Sequence, residues 1–171
     1  MINKEYWLEG DEVMQIEVNN ASETRQVAQL LASYIEPNDI ILLDGELGAG
    51  KTMFTKGLAL GLGIEHNIKS PTFNLIKEYH QGRIPLFHMD VYRLEGVGGG
   101  DLGLEEYFNG GGVSVVEWSQ FIQAELPQDF LRIKIIKDEY NDQQRTLQFT
   151  ATGAHYKKLL LMLEKEYANF K

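Results

Sequence analysis

The chain has 171 residues, long enough for one domain with a substantial core and too short for two. Apolar residues make up 43% of it, no apolar run reaches the ~18 residues of a membrane span, and cysteine is absent, which excludes disulfide support and thiolate metal sites. The 25 acidic and 16 basic side chains leave a formal charge of −9, which argues against broad nucleic-acid binding because that affinity comes from Lys and Arg neutralising phosphate.

No DNA ligand and no membrane are therefore expected. The start of the chain does not read as a secretion signal, and the cytoplasm is the expected compartment. Residues 1–14 read as a variable extension, polar and acidic, with Tyr6, Trp7 and Leu8 as their only apolar cluster and room for one short added strand. The remainder, 15–171, reads as a single domain. Gln15 to Val18 is a short strand candidate. Asn20 and Ser22 offer a cap for a helix whose Val27, Leu30, Leu31 and Tyr34 form one apolar stripe. Pro37-Asn38-Asp39 ends that helix and turns the chain into a buried strand, Ile40 to Leu43.

A glycine-rich loop follows: Gly45-x4-Gly50-Lys51-Thr52, with an amphipathic helix from about Thr52 to Leu60 behind it and Gly61-Leu62-Gly63 to stop it. Strand, loop and helix in this order give the phosphate-binding motif its required context. Backbone N–H groups of Glu46, Leu47, Gly48, Ala49, Gly50, Lys51, Thr52 and Met53 are the expected cradle for a nucleoside triphosphate. The Lys51 ammonium would span the β- and γ-phosphates and the Thr52 hydroxyl would ligate Mg²⁺.

Phe73 to Tyr79 and Ile84 to Met89 flank Gln81-Gly82-Arg83 and predict a β-hairpin leading into Asp90. Glu95 to Gly103 holds five glycines and almost nothing to bury, reading as a mobile connection before a short helix, Leu104 to Phe108. Val113 to Val116 is a compact apolar strand that enters Glu117-Trp118. Leu131 to Ile136 and Arg145 to Phe149 bracket a turn at Asn141-Asp142, a second hairpin, and a final helix runs from about Ala154 to Tyr167. Alternating strands and helices with an early phosphate loop predict an α/β three-layer sandwich. Its sheet is mixed, a parallel core with antiparallel hairpin strands added.

A Mg²⁺-dependent hydrolase needs a further carboxylate near the metal, at the carboxyl edge of the sheet where open α/β folds bind ligands. Asp90 and Glu117 both end apolar strands there; Asp90 is the expected metal carboxylate, direct or through water, and Glu117 reads as either the residue that polarises the attacking water or a support behind the metal's ligands. Glu105, Glu106, Asp138 and Glu139 read as ordinary surface. Thr72, in Ser70-Pro71-Thr72-Phe73, carries a hydroxyl suited to sensing the γ-phosphate, and the same segment reads equally as a rigid strand entry with a packed Phe73. Arg93 reads as either a phosphate contact or half of an ion pair. Trp118 is a core residue or a base-stacking one, and His88, inside an apolar strand, a hydrogen-bonded residue at the core edge. His66, His80, His88 and His155 lack metal-ligand spacing.

Four segments occur in one order: GELGAGKT at residues 45–52, SPTF at 70–73, DVYRL at 90–94 and VEW at 116–118. Together they resemble the TsaE (YjeE) family, small bacterial P-loop ATPases of threonylcarbamoyladenosine synthesis on tRNA, from about Ser22 to Phe149. The resemblance implies binding of ATP and ADP and slow, partner-stimulated ATP hydrolysis. In that family Lys51 and Thr52 correspond to the phosphate and magnesium residues, Asp90 to the metal-associated acid, Thr72 to a switch position and Glu117 to a glutamate needed for activity. TsaD-like and TsaB-like proteins are the implied partners, with tRNA reached indirectly through their complex. Thr52-Met53 replaces a frequent pair of threonines, and Ser119-Gln120 a frequent proline-containing pair. A small-metabolite kinase and a nonenzymatic nucleotide-sensing module are the alternatives. The kinase lacks a visible arginine-rich lid, since Arg83 and Arg93 stand alone.

Overall fold

The computed structural model describes residues 2–4, 12–71 and 73–170. Eight strands form one mixed sheet in the order β1-β2-β8-β7-β3-β6-β5-β4. They are β1 (Ile2–Lys4), β2 (Glu12–Val18), β3 (Ile40–Asp44), β4 (Ile76–Tyr79), β5 (Leu86–Asp90), β6 (Val113–Glu117), β7 (Leu131–Lys137) and β8 (Arg145–Ala151). Strands β7, β3, β6 and β5 are parallel neighbours. The hairpin partners β4 and β8, and β2 and β1 beyond β8, are antiparallel additions. The expected mixed sheet is therefore present.

Central β3 is covered on both faces, which is why its sequence is a continuous apolar run with no polar alternation. Ile41 and Leu43 face a core shared with α1 (Ala21–Ala32), α2 (Lys51–Gly61) and α4 (Ala154–Phe170). Ile40 and Leu42 face the other core, closed by α3 (Leu104–Phe108) and the 3₁₀ turns Tyr92–Leu94 and Ser119–Glu125. Helix α1 starts where expected: Asn20 Oδ1 accepts from Glu23 N at 2.9 Å, and the Glu23 carboxylate accepts from Asn19 N at 2.8 Å.

Several boundaries differ from the sequence reading. Strand β2 begins at Glu12, three residues earlier than Gln15, because pairing with β8 extends it in register to Glu12 opposite Ala151. Tyr6, Trp7 and Leu8 lie outside the described residues. The first hairpin arm begins only at Ile76. Leu75 has φ +61°, its N–H donates to Pro71 O at 3.0 Å, and this turn replaces the expected strand start. Arg83 donates to the Ala32 and Ile35 carbonyls at the end of α1, both at 2.9 Å. The glycine-rich stretch is anchored at one point: Gly99 is buried, its N–H donates to Glu125 Oε1 at 3.0 Å, and a Cβ there would lie 2.8 Å from Leu104 Cδ1, while most of the other residues from 95 to 103 are exposed. Helix α4 continues to Phe170. Among the described residues no helix is long and apolar enough to cross a membrane.

Candidate functional site

Strand β3 delivers the chain to the loop, and α2 starts at Lys51, directly behind Gly50. Gly50 has φ +116°, a conformation that side-chain-bearing residues rarely adopt, and this turn brings the backbone round into the helix. The first-turn N–H groups of α2 have no intrahelical acceptor, so they and the helix dipole form a receptor for anions. The outward-facing carbonyls are held by distant cations. Lys137 Nζ donates to Leu47 O at 2.9 Å, and Arg145 Nε to Ala49 O at 3.0 Å. A Cβ at Gly45 would lie 2.8 Å from Ile135 O, so the loop is pressed against β7.

Lys51 is nearly buried and folds back on the loop, donating to Gly45 O at 2.6 Å and Glu46 O at 3.2 Å. Its ammonium lies 4.4 Å from the centroid of the Trp118 ring. Burial pushes the ammonium below the usual lysine pKa, opposed by the carboxylates of Glu117, Asp90 and Asp44. A phosphate entering here would supply the negative partner that two neutral carbonyls do not.

The two candidate acids face each other at the carboxyl ends of β5 and β6, where Asp90 and Glu117 are register partners. Asp90 Oδ2 accepts from Ser70 Oγ at 3.2 Å and Oδ1 from Tyr92 N at 3.1 Å. Glu117 is 3% exposed, and its Oε1 has no hydrogen-bond partner among the described residues. Trp118 takes φ +63°, which costs energy for a non-glycine residue and is concentrated at functional sites. That turn lays the indole beside Lys51, edge-on to Tyr92 at 5.0 Å and stacked on Phe121 at 6.3 Å. Trp118 is thus half-buried at the site and is not a simple core residue.

These groups line one cleft of about 610 Å³, bounded by residues 47–52, Ser70, Asp90, Tyr92, Glu117 and Trp118. Of the expected loop residues, Glu46 is exposed and borders a separate groove along β7, while Met53 is half-buried beyond the cleft. Thr72 lies outside the described residues. Its neighbour Phe73 is 83% exposed, against the reading of a packed strand entry. Among the described residues Arg93 forms no ion pair and does not line the cleft; its guanidinium carbon lies 4.9 Å from the Phe73 ring centroid. His88 is fully buried, but neither ring nitrogen has a hydrogen-bond partner among the described residues, which corrects the expected hydrogen-bonded histidine. Glu105, Glu106, Asp138 and Glu139 are exposed, as expected.

Sequence reasoning missed Ser70, Tyr92, Lys137 and Arg145. Tyr92 lies inside a quoted motif and could have been found; the two cations act across about a hundred residues and left no local signal. Asp44, at the end of β3, was also missed. Burial raises its carboxyl above the usual range, and Arg132 at 3.5 Å and the Ser119 hydroxyl donating at 3.4 Å work against that.

No group of three or more His, Cys, Asp or Glu suited to a metal occurs among the described residues. The Asp90 carboxylate and the Thr52 hydroxyl, both lining the cleft, fit Mg²⁺, which keeps several waters and takes the rest of its ligands from substrate phosphates. A larger depression, about 910 Å³, opens at the amino edge of the sheet beside Asp39, Asp129 and His155. It has no phosphate loop and is remote from the Lys51 cluster.

A family model described as threonylcarbamoyl adenosine biosynthesis protein TsaE matches residues 18–147. The chain is 50% identical over 140 residues to the tRNA threonylcarbamoyladenosine biosynthesis protein TsaE of Bacillus subtilis, covering 82% of this chain and 87% of that one. It is 44% identical over 117 residues to the protein of the same name from Treponema pallidum, covering 68% and 86%. Among solved structures, it is similar to that of Bacillus subtilis YdiB, with a TM-score of 0.80 and 40% identity over 97% of both chains.

Proposed function

We propose, from the premise that this chain belongs to the TsaE family and so to tRNA threonylcarbamoyladenosine biosynthesis, that it binds ATP in the cleft at residues 47–52 and hydrolyses it slowly with Mg²⁺. The observation that carries the reading is the convergence of Lys51, Asp90 and Glu117 on the open amino end of α2. An anion-binding backbone, a buried cation and two acids from adjacent strands are the parts that phosphoryl transfer to water requires.

In this reading the loop N–H groups bind the β-phosphate and Lys51 leaves its loop carbonyls to bridge the β- and γ-phosphates. Thr52 and Asp90 would hold Mg²⁺, which when bound neutralises phosphate charge. Glu117, whose carboxylate lines the cleft, orients the attacking water and accepts its proton. Ser70 and the Tyr92 N–H keep the Asp90 carboxylate in place. Thr72 completes the site as a sensor of the γ-phosphate. The partners are TsaB-like and TsaD-like proteins that carry the tRNA, and their docking accelerates turnover, so that ATP is not consumed by the free protein. ATP turnover then supports repeated modification of adenosine 37.

The test measures phosphate release and threonylcarbamoylated tRNA under multiple-turnover conditions, with and without a TsaB–TsaD complex, for the native protein and Asp90→Ala. Loss of both products in the variant supports the reading. Saturable ATP binding without stimulated phosphate release would favour a nucleotide-sensing module, and γ-phosphoryl transfer to a small acceptor would favour a kinase. Either outcome overturns the proposal.

A further inference from the structure

His88 occupies the middle of β5, two residues before Asp90 and therefore on the same face of the sheet. Its register partner on β6 is Val115, which places the ring diagonal to Glu117. The ring is fully buried, and neither Nδ1 nor Nε2 has a hydrogen-bond partner. Nε2 lies 3.5 Å from Glu117 Oε1, itself buried and unpaired. Two buried polar groups 3.5 Å apart that each lack a hydrogen-bond partner among the described residues are an uncommon arrangement in a folded protein. Packing does not account for a histidine here. The neighbouring core is aliphatic and aromatic, and an apolar side chain would fill the position without desolvating two nitrogens.

We infer that His88 is the positioning residue for Glu117, its Nε2–H closing onto the Glu117 carboxylate when a triphosphate fills the cleft. Without nucleotide, the ammonium of Lys51 attracts Glu117. Once phosphate takes that ammonium, the imidazole is the donor within reach. It then fixes the carboxylate in the orientation that aligns water, while its other oxygen stays free for the proton. The inference rests on Glu117 acting on water, and the experiment separates the two.

Steady-state ATP hydrolysis with the TsaB–TsaD complex is measured for His88→Leu, His88→Gln, Glu117→Gln and the double variant His88→Leu/Glu117→Gln. ATP affinity is measured in parallel by titration, and the fold is checked by thermal unfolding; His88→Met substitutes if His88→Leu does not fold. His88→Leu should lower kcat about tenfold or more, the range for residues that orient a reacting group's ligand. Its ATP affinity and KM should stay within about twofold. His88→Gln, which keeps an N–H donor, should recover part of the rate. The double variant should be no slower than Glu117→Gln, since the histidine acts only through that carboxylate. If Glu117→Gln is inactive while His88→Leu keeps the native kcat, His88 only fills space; if the two losses multiply, it acts through some other group; either result overturns the inference. If Glu117→Gln keeps the native rate, the role of Glu117 itself is refuted, and this inference with it.

Discussion

Gly57→Ala tests the contact that sets the position of the phosphate loop. Helix α2 carries Lys51 and Thr52 at its amino end and crosses α1 through two glycines one turn apart, Gly57 and Gly61. A Cβ at Gly57 would lie 2.3 Å from Arg25 O and 2.7 Å from Ala28 Cβ. In an isolated helix the change would stabilise by about 1 kcal/mol through helix propensity. Here the nearest obstacle is backbone, which no rotamer can relieve, so the overpacking cost belongs near the upper end of its range, about 3 kcal/mol. The net expectation is about 2 kcal/mol of destabilisation, or a Tm lower by about 4–8 °C for a chain of this size. Urea and thermal unfolding monitored by circular dichroism measure it. The displacement of α2 should also weaken ATP binding, read by titration on the folded variant. A Gly57→Ala protein as stable as the native one, or stabilised by the propensity gain, would refute the claim that glycine is present for close helix approach.

Lys137→Ala removes the donor that holds Leu47 O, and should raise the Kd for ATP several-fold, about 1 kcal/mol, without lowering Tm appreciably; an unchanged Kd in nucleotide titration would deny the lysine a part in shaping the loop. Gly50→Ala forces a side chain into φ +116°, at a cost of about 1–3 kcal/mol, although nothing lies within 4 Å of the added Cβ. Calorimetry should show a folded protein with nucleotide binding lost, and retained binding would show that the loop tolerates another conformation. Asp44 has its pKa raised above 3.8 by burial, so its contribution to stability is present below that value and lost as pH rises through the folded-state value. Asp44→Asn should therefore gain stability relative to the native protein as pH rises above the usual carboxylate range, and a pH-independent difference in urea midpoints would contradict the buried-carboxylate account.

Local signals carried the individual parts of this protein. The phosphate loop was legible because residues 45–52 fold on themselves and their chemistry depends on spacing along the chain. Strand β3 was legible because burial on both faces requires an unbroken apolar run, and α1 because its cap and stripe lie within four turns. Asp90 and Glu117 were recognisable as strand-end acids, yet nothing local said that β5 and β6 are neighbours in register. That pairing, the loop cations on β7 and β8, the early start of β2 and the glycine contact between α1 and α2 all join distant segments. Periodicity reports which face of an element is buried, and not which other element buries it. The same limit hid the state of His88: its place in an apolar strand was visible, but only the folded sheet brings its unpaired nitrogen to within 3.5 Å of an unpaired carboxylate oxygen.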